Sequence, residues 1–187
     1  MRKLVLAVVL VAAALTFVLA STALADDDNG GTFRANLDGY QEVVGGPGAG
    51  STGSVSTVAS GRFTARLRNG SLDFTLTYSN IEGGTVSAAH IHFAEEHVGG
   101  GVIAFLCGGG SKPPCPTPGG TVTGTITPAD IIGPADQGIQ PGAFNELISA
   151  MRAGATYANV HSTPSYPEGE IRGQIRGGRG GDNDDDD

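Results

Sequence analysis

The residues best equipped for chemistry lie in Ala89-His90-Ile91-His92-Phe93, where two imidazoles flank one apolar residue. In an extended chain successive side chains alternate faces, so His90 and His92 point one way and Ile91 and Phe93 the other. A second extended stretch, Tyr157 to His161, places Tyr157, Asn159 and His161 opposite Ala158 and Val160. A third, Gly169 to Arg176, places Glu170, Arg172, Gln174 and Arg176 opposite Ile171 and Ile175. If these three strands pool their polar faces, three of the chain's four histidines meet.

Imidazole is a common metal ligand, and His-x-His on a strand offers two nitrogens to one ion. His90, His92 and His161 with an open position would suit one Zn²⁺ or Cu²⁺, the only cofactors these residues suggest. His97, in the following loop, is the candidate for a fourth ligand. Glu170, Asn159 and Arg172 are the candidates to support the ligands, Glu170 by accepting an imidazole N–H. The same residues also fit a plain hydrogen-bonded polar layer, in which His90 and His92 bond Asn159, Glu170 or backbone carbonyls. The sequence leaves both readings open. It contains no Gly-x-Ser-x-Gly elbow, no His-Glu-x-x-His and no phosphate loop, so no catalytic residue is assigned. Cu/Zn superoxide dismutase also has a His-x-His strand in a Greek-key barrel, but four histidines are too few for its two-metal site.

The scaffold is expected to follow a cleaved export signal, with a retained N-terminal membrane anchor as the alternative reading. Arg2 and Lys3 precede an apolar run from Leu4 to Ala20, and Ala23-Leu24-Ala25 fits small-x-small cleavage. The expected division is a signal peptide over 1–25, a polar lead-in over 26–31, one domain over 32–176 and a disordered Gly/Asp-rich tail over 177–187. Cleavage after Ala25 would leave a secreted protein with no later stretch apolar enough to span a bilayer. Beyond residue 25, nine basic residues face nineteen acidic ones. Such a balance argues against nucleic acid as the partner, because phosphates need a basic footprint. An extracellular protein or envelope component is the partner class that remains. The terminal aspartates, Asp182 to Asp187 around Asn183, would gather Ca²⁺ only weakly, and solubility is their plainer role.

Within the domain, Phe33, Ala35 and Leu37 alternate with polar residues, as do Val55 to Leu67 and Leu72 to Tyr78. Asn69-Gly70 marks a hairpin. Val102 to Leu106 reads as a buried strand, and Thr121 to Ile126 as a Thr-rich one. Thr127-Pro128-Ala129-Asp130 looks like a cap with Pro at the first helical position. Phe144, Leu147, Ile148 and Met151 recur at helical spacing, predicting one short helix at about 143–152 that stops at Gly154. A Pro-containing loop through Tyr166-Pro167 is expected before the last strand. Cys107 and Cys115 flank loop-forming residues and, after export, should form a disulfide. Roughly eight short strands and one inserted helix predict an all-β fold, an antiparallel β-sandwich or Greek-key barrel.

Several of these stretches together resemble the CHRD (chordin) domain family: His90-Ile91-His92, Gly100-Gly101-Val102, Tyr157 to Ser162, and Gly169-Glu170-Ile171-Arg172-Gly173-Gln174. The opening Phe33-x-Ala35-x-Leu37-x-Gly39-x-Gln41-Glu42-Val43 is similar to that family's start, with Val44-Gly45 where two prolines are usual. The resemblance covers about residues 32–176. It implies an extracellular all-β domain acting as a binding or structural module, with no settled activity for stand-alone members. Chordin itself is a secreted growth-factor antagonist, a role that belongs to a multidomain protein.

Overall fold

The structure is a computed structural model that describes residues 31–45 and 53–178. The expected signal peptide, most of the lead-in and the tail from residue 179 lie outside the described residues. Among the described residues no helix is long and apolar enough to cross a membrane.

Alternating apolar residues build the first strands. β1 (Thr32–Asp38), β2 (Ser60–Arg68) and β3 (Ser71–Ser79) bury Phe33, Ala35, Leu37, Phe63, Ala65, Leu72, Phe74, Leu76 and Tyr78. Val55 is buried, but the chain from 53 to 59 is irregular, so the second strand starts later than the alternation suggests. Asn69 and Gly70, at φ 46° and 74°, make the tight turn that joins β2 to β3.

β4 (Gly84–Phe93) carries the His-x-His pair, and β5 (Gly101–Cys107) is the apolar run beside it. β6 (Gly120–Ile126) lies against β3. Pro128–Asp130 forms a short 3₁₀ turn closed by a capping box, in which the backbone N–H and hydroxyl of Thr127 both donate to Asp130. α1 (Phe144–Arg152) buries Phe144, Leu147, Ile148 and Met151, as its spacing predicts.

β7 (Thr156–Pro164) and β8 (Tyr166–Gln174) form a tight hairpin. The expected loop through Tyr166-Pro167 is therefore corrected: both residues belong to β8. A further correction concerns the tail, because Gly177 and Gly178 lie in β9 (Arg176–Gly178), paired antiparallel with β1.

The sheet order is β5-β4-β7-β8-β1-β2-β3-β6, a nearly closed antiparallel barrel with one short helix. The all-β architecture and inserted helix follow the sequence reading, with a barrel rather than two separate sheets. Near its two free edges, the Cys107–Cys115 disulfide (Cα–Cα 5.2 Å) pins the loop that leaves β5, and Ile132 donates its N–H to the Ile103 carbonyl at 2.9 Å. One apolar core fills the barrel, and Ala89, Ile91, Ala158, Val160 and Ile171 belong to it. The alternate residues of β4, β7 and β8 accordingly face outward, as one continuous polar surface.

Candidate metal centre

β7 lies between β4 and β8, and its register decides which polar residues meet. His92 stands opposite Tyr157, His90 opposite Asn159, and Ala88 opposite His161. On the other side Asn159 stands opposite Arg172 and Tyr157 opposite Gln174. His161 is thus the diagonal neighbour of His90, within reach for an aromatic ring. Nitrogens of His90, His92 and His161 all lie within 4.8 Å of one another.

The three rings are buried, at 9%, 7% and 9% exposure. A roof loop lies beside them, over the β8 end of the same face. Arg172 donates from its guanidinium to the carbonyls of Val98 and Glu95, both at 2.9 Å, while Gln174 donates to the carbonyls of Ala94 and Gly154. Segment 94–98 is thereby fastened over the outer sheet face. The Arg172 guanidinium also lies 3.5 Å above the Tyr157 ring, and that ring stacks on His92 at 4.7 Å with planes 5° apart. Phe105 meets the His90 ring edge-on at 4.5 Å.

Hydrogen bonds to backbone carbonyls fix two tautomers. His92 Nδ1 sits 2.9 Å from the Gly100 carbonyl, and His161 Nδ1 sits 3.0 Å from the Pro167 carbonyl. A carbonyl only accepts, so both Nδ1 atoms carry the proton and both neutral rings present an Nε2 lone pair. His92 Nε2 is buried and has no hydrogen-bond partner among the described residues. His161 Nε2 lies 3.0 Å from His90 Nδ1 and 3.1 Å from Asn159 Oδ1. Three polar atoms converge there, where a single proton can serve only one pair of them.

The electrostatics favour neutral rings. Burial pulls His90 down to about 3, and the neighbouring His161 and His92 add to the effect. Burial likewise pulls His92 down to about 4 against the Gly100 hydrogen bond, and lowers His161. Unprotonated imidazole is the form that ligates metals. With metal–nitrogen bonds of about 2.0–2.1 Å, neighbouring ligands sit about 2.9 Å apart at the right angle of a tetragonal Cu²⁺ site and about 3.3 Å apart in a tetrahedral Zn²⁺ site. The His90–His161 spacing is 3.0 Å. The remaining nitrogens, up to 4.8 Å apart, need small ring movements to share one ion.

Two expected participants stand elsewhere. His97 is exposed on the roof loop at φ 63° and is no member of the cluster. Glu170 accepts from Thr57 Oγ1 (2.8 Å), Glu82 N (2.8 Å), Gly83 N (3.0 Å) and Ser162 Oγ, and makes no hydrogen bond to an imidazole. The cause is an irregularity in the β7–β8 ladder between Val160 and Ser162, which turns Glu170 away from His161 and toward the start of β4. These donors hold Glu170 below its usual carboxylate range despite the opposing effect of burial. Gly83 must lack a side chain, since a Cβ there would collide with Ser162 and Glu170.

The alternation argument missed Glu42, which is 3% exposed with Oε2 unpartnered among the described residues. Burial raises it to about 7, while the N–H of Val43, the charge of Arg172 and the amide of Asn159 pull the other way. It packs against Gly169, where φ is +137° and a Cβ would strike the carboxylate. Asn159, whose Oδ1 lies 3.1 Å from His161 Nε2, is thus also among the groups that act on Glu42. The only sequence signal for Glu42 was its place in the Gln41-Glu42-Val43 string.

A nearly closed β-barrel bearing a roofed triad of neutral imidazoles defines a class: an all-β module with a candidate mononuclear metal centre. The CHRD domain family matches residues 33–175, and the chain belongs to that family. No curated protein and no solved structure matches it significantly.

Proposed function

We propose that this CHRD domain is an exported extracellular module that holds one Zn²⁺ or Cu²⁺ through His90 Nδ1, His92 Nε2 and His161 Nε2. The observation that carries this reading is the convergence of three buried imidazole nitrogens, two of them left as lone pairs by backbone carbonyls that hold the proton on the far nitrogen of the ring. Three protein ligands leave a coordination position for water or a group from a partner. Residues 1–25 supply the export signal in this reading, and the roof loop is the side from which a partner protein or envelope component would approach. The chain's own groups do no covalent chemistry here. They hold the rings neutral, orient them and keep bulk water off.

Isothermal titration of the full domain with Zn²⁺ and with Cu²⁺, after chelator treatment, tests the proposal. One site per chain is expected, lost in His92→Ala and kept in His97→Ala. Equal binding by wild type and His92→Ala would defeat it.

A further inference from the structure

A different face of the barrel carries an unexplained concentration of charge. On β2 the outward positions are Arg62, Thr64, Arg66 and Arg68, and on β1 Arg34 stands opposite Thr64. All four arginines are exposed and line one shallow groove across β1, β2 and β3. The chain as a whole has a formal charge of −8, and only nine basic residues follow residue 25. Four of those nine share this groove. One acid answers them, Asp73, which lies 3.7 Å from Arg68 and accepts from Thr125. Arg34, Arg62 and Arg66 have no ion-pair partner among the described residues.

We infer that this groove binds a linear acidic polysaccharide, through guanidinium contacts to its carboxylate or sulfate groups. Arginine's planar fork matches such oxyanions with two parallel hydrogen bonds. Threonines interleave the arginines: Thr64 and Thr75 face each other across β2 and β3 in the groove, and beside it Thr77 of β3 and Thr121 of β6 bond each other at 3.0 Å. Hydroxyls of this kind suit a hydroxyl-rich polymer. The face has no stacking platform for nucleobases, because Phe33, Phe63 and Phe74 on the same strands point into the core. Rows about 4.8 Å apart, with alternate residues about 6.6 Å apart along a strand, spread the cations over a length suited to several sugars.

The test uses the full chain with EDTA present, so that the histidine cluster contributes nothing. Binding is measured to polygalacturonate as the carboxylate probe, dextran sulfate as the sulfate probe, neutral dextran and single-stranded DNA. Polygalacturonate, dextran sulfate or both should bind, weakening as salt rises, and the better one identifies the preferred group. Neutral dextran should not bind. Arg34→Gln with Arg62→Gln and Arg66→Gln should weaken binding by about tenfold or more. These side chains are exposed, so the circular dichroism spectrum and melting curve should stay at wild type. Undiminished binding by the triple variant overturns the inference. So does no binding to either acidic polymer, or binding to DNA as tight as to the better polysaccharide.

Discussion

His90 Nδ1 and His161 Nε2 lie 3.0 Å apart on adjacent strands, although 71 residues separate them in sequence. The spacing is a hydrogen bond when one nitrogen bears a proton, and it is close to the distance between neighbouring ligands on one ion, about 2.9 Å for tetragonal Cu²⁺ and about 3.3 Å for tetrahedral Zn²⁺. A metal can therefore enter with little rearrangement of these two rings. Truncating either ring should lower Zn²⁺ or Cu²⁺ affinity by well over a hundredfold in a chelator-competition titration. Asn159→Ala, which removes only the flanking amide, should lower it by about 10- to 100-fold. Equal losses for all three variants would mean that Asn159 acts through the fold.

Arg172 is 1% exposed and serves as the clamp of the roof, with donors to Val98, Glu95 and Gln174. Arg172→Ala removes two charge-assisted bonds that fasten the roof loop, together with the contact on Tyr157, and should cost about 3 kcal/mol in chemical denaturation. Arg172→Lys keeps a charge but loses the fork and the flat contact with Tyr157, so it should recover only part of that loss. Hydrogen exchange should speed up at residues 94–100 in both variants, and faster exchange confined to β1–β3 would contradict the assignment.

Glu170 has its four donors away from the imidazoles. Glu170→Gln should reduce stability by about 1–3 kcal/mol, since an amide cannot accept all four bonds. Metal affinity should stay within about twofold of wild type. A tenfold loss of affinity with unchanged stability would restore Glu170 to the metal centre.

The pH dependence has two parts of opposite sign. The histidines have lowered values in the fold, so their contribution is present above the unfolded value near 6.5. It is lost as pH falls toward about 4 for His92 and about 3 for His90. Glu42 is raised from 4.5 to about 7, so its contribution is present below pH 4.5 and lost as pH rises through about 7. Metal-free protein should thus lose stability on acidification below pH 6.5, with Glu42 softening the slope between 4.5 and 7. Glu42→Gln should be more stable than wild type at pH 8, by up to about 3 kcal/mol, and lose that advantage by pH 4.5. Urea midpoints at pH 4.5, 6 and 8 check both signs. A Glu42→Gln midpoint below wild type at pH 8 would show that the carboxylate is better stabilised than its burial implies.

Much of this arrangement was legible from period-two alternation. His90 and His92 share a face because Ile91 must enter the core, and Asn159 and His161 share one because Val160 must. Alternation could not show what the ladder irregularity after Val160 does, and Glu170 was misplaced for that reason. Nor could it show the roof, because Arg172 reaches carbonyls more than 70 residues away. Glu42 stayed hidden because its burial depends on β8 and Gly169 closing over it, a contact between distant parts of the chain. The tyrosine–histidine stack is cross-strand register, visible once β4 and β7 are paired and invisible before.

Anomalous diffraction from crystals of the full domain grown with Zn²⁺ or Cu²⁺, collected on both sides of the metal's absorption edge, tests the central claim most directly. The account predicts one strong edge-dependent peak at about 2.0–2.1 Å from His90 Nδ1, His92 Nε2 and His161 Nε2. A saturated crystal with no peak between these three rings, or with its only peaks at surface carboxylates or His97, would contradict it.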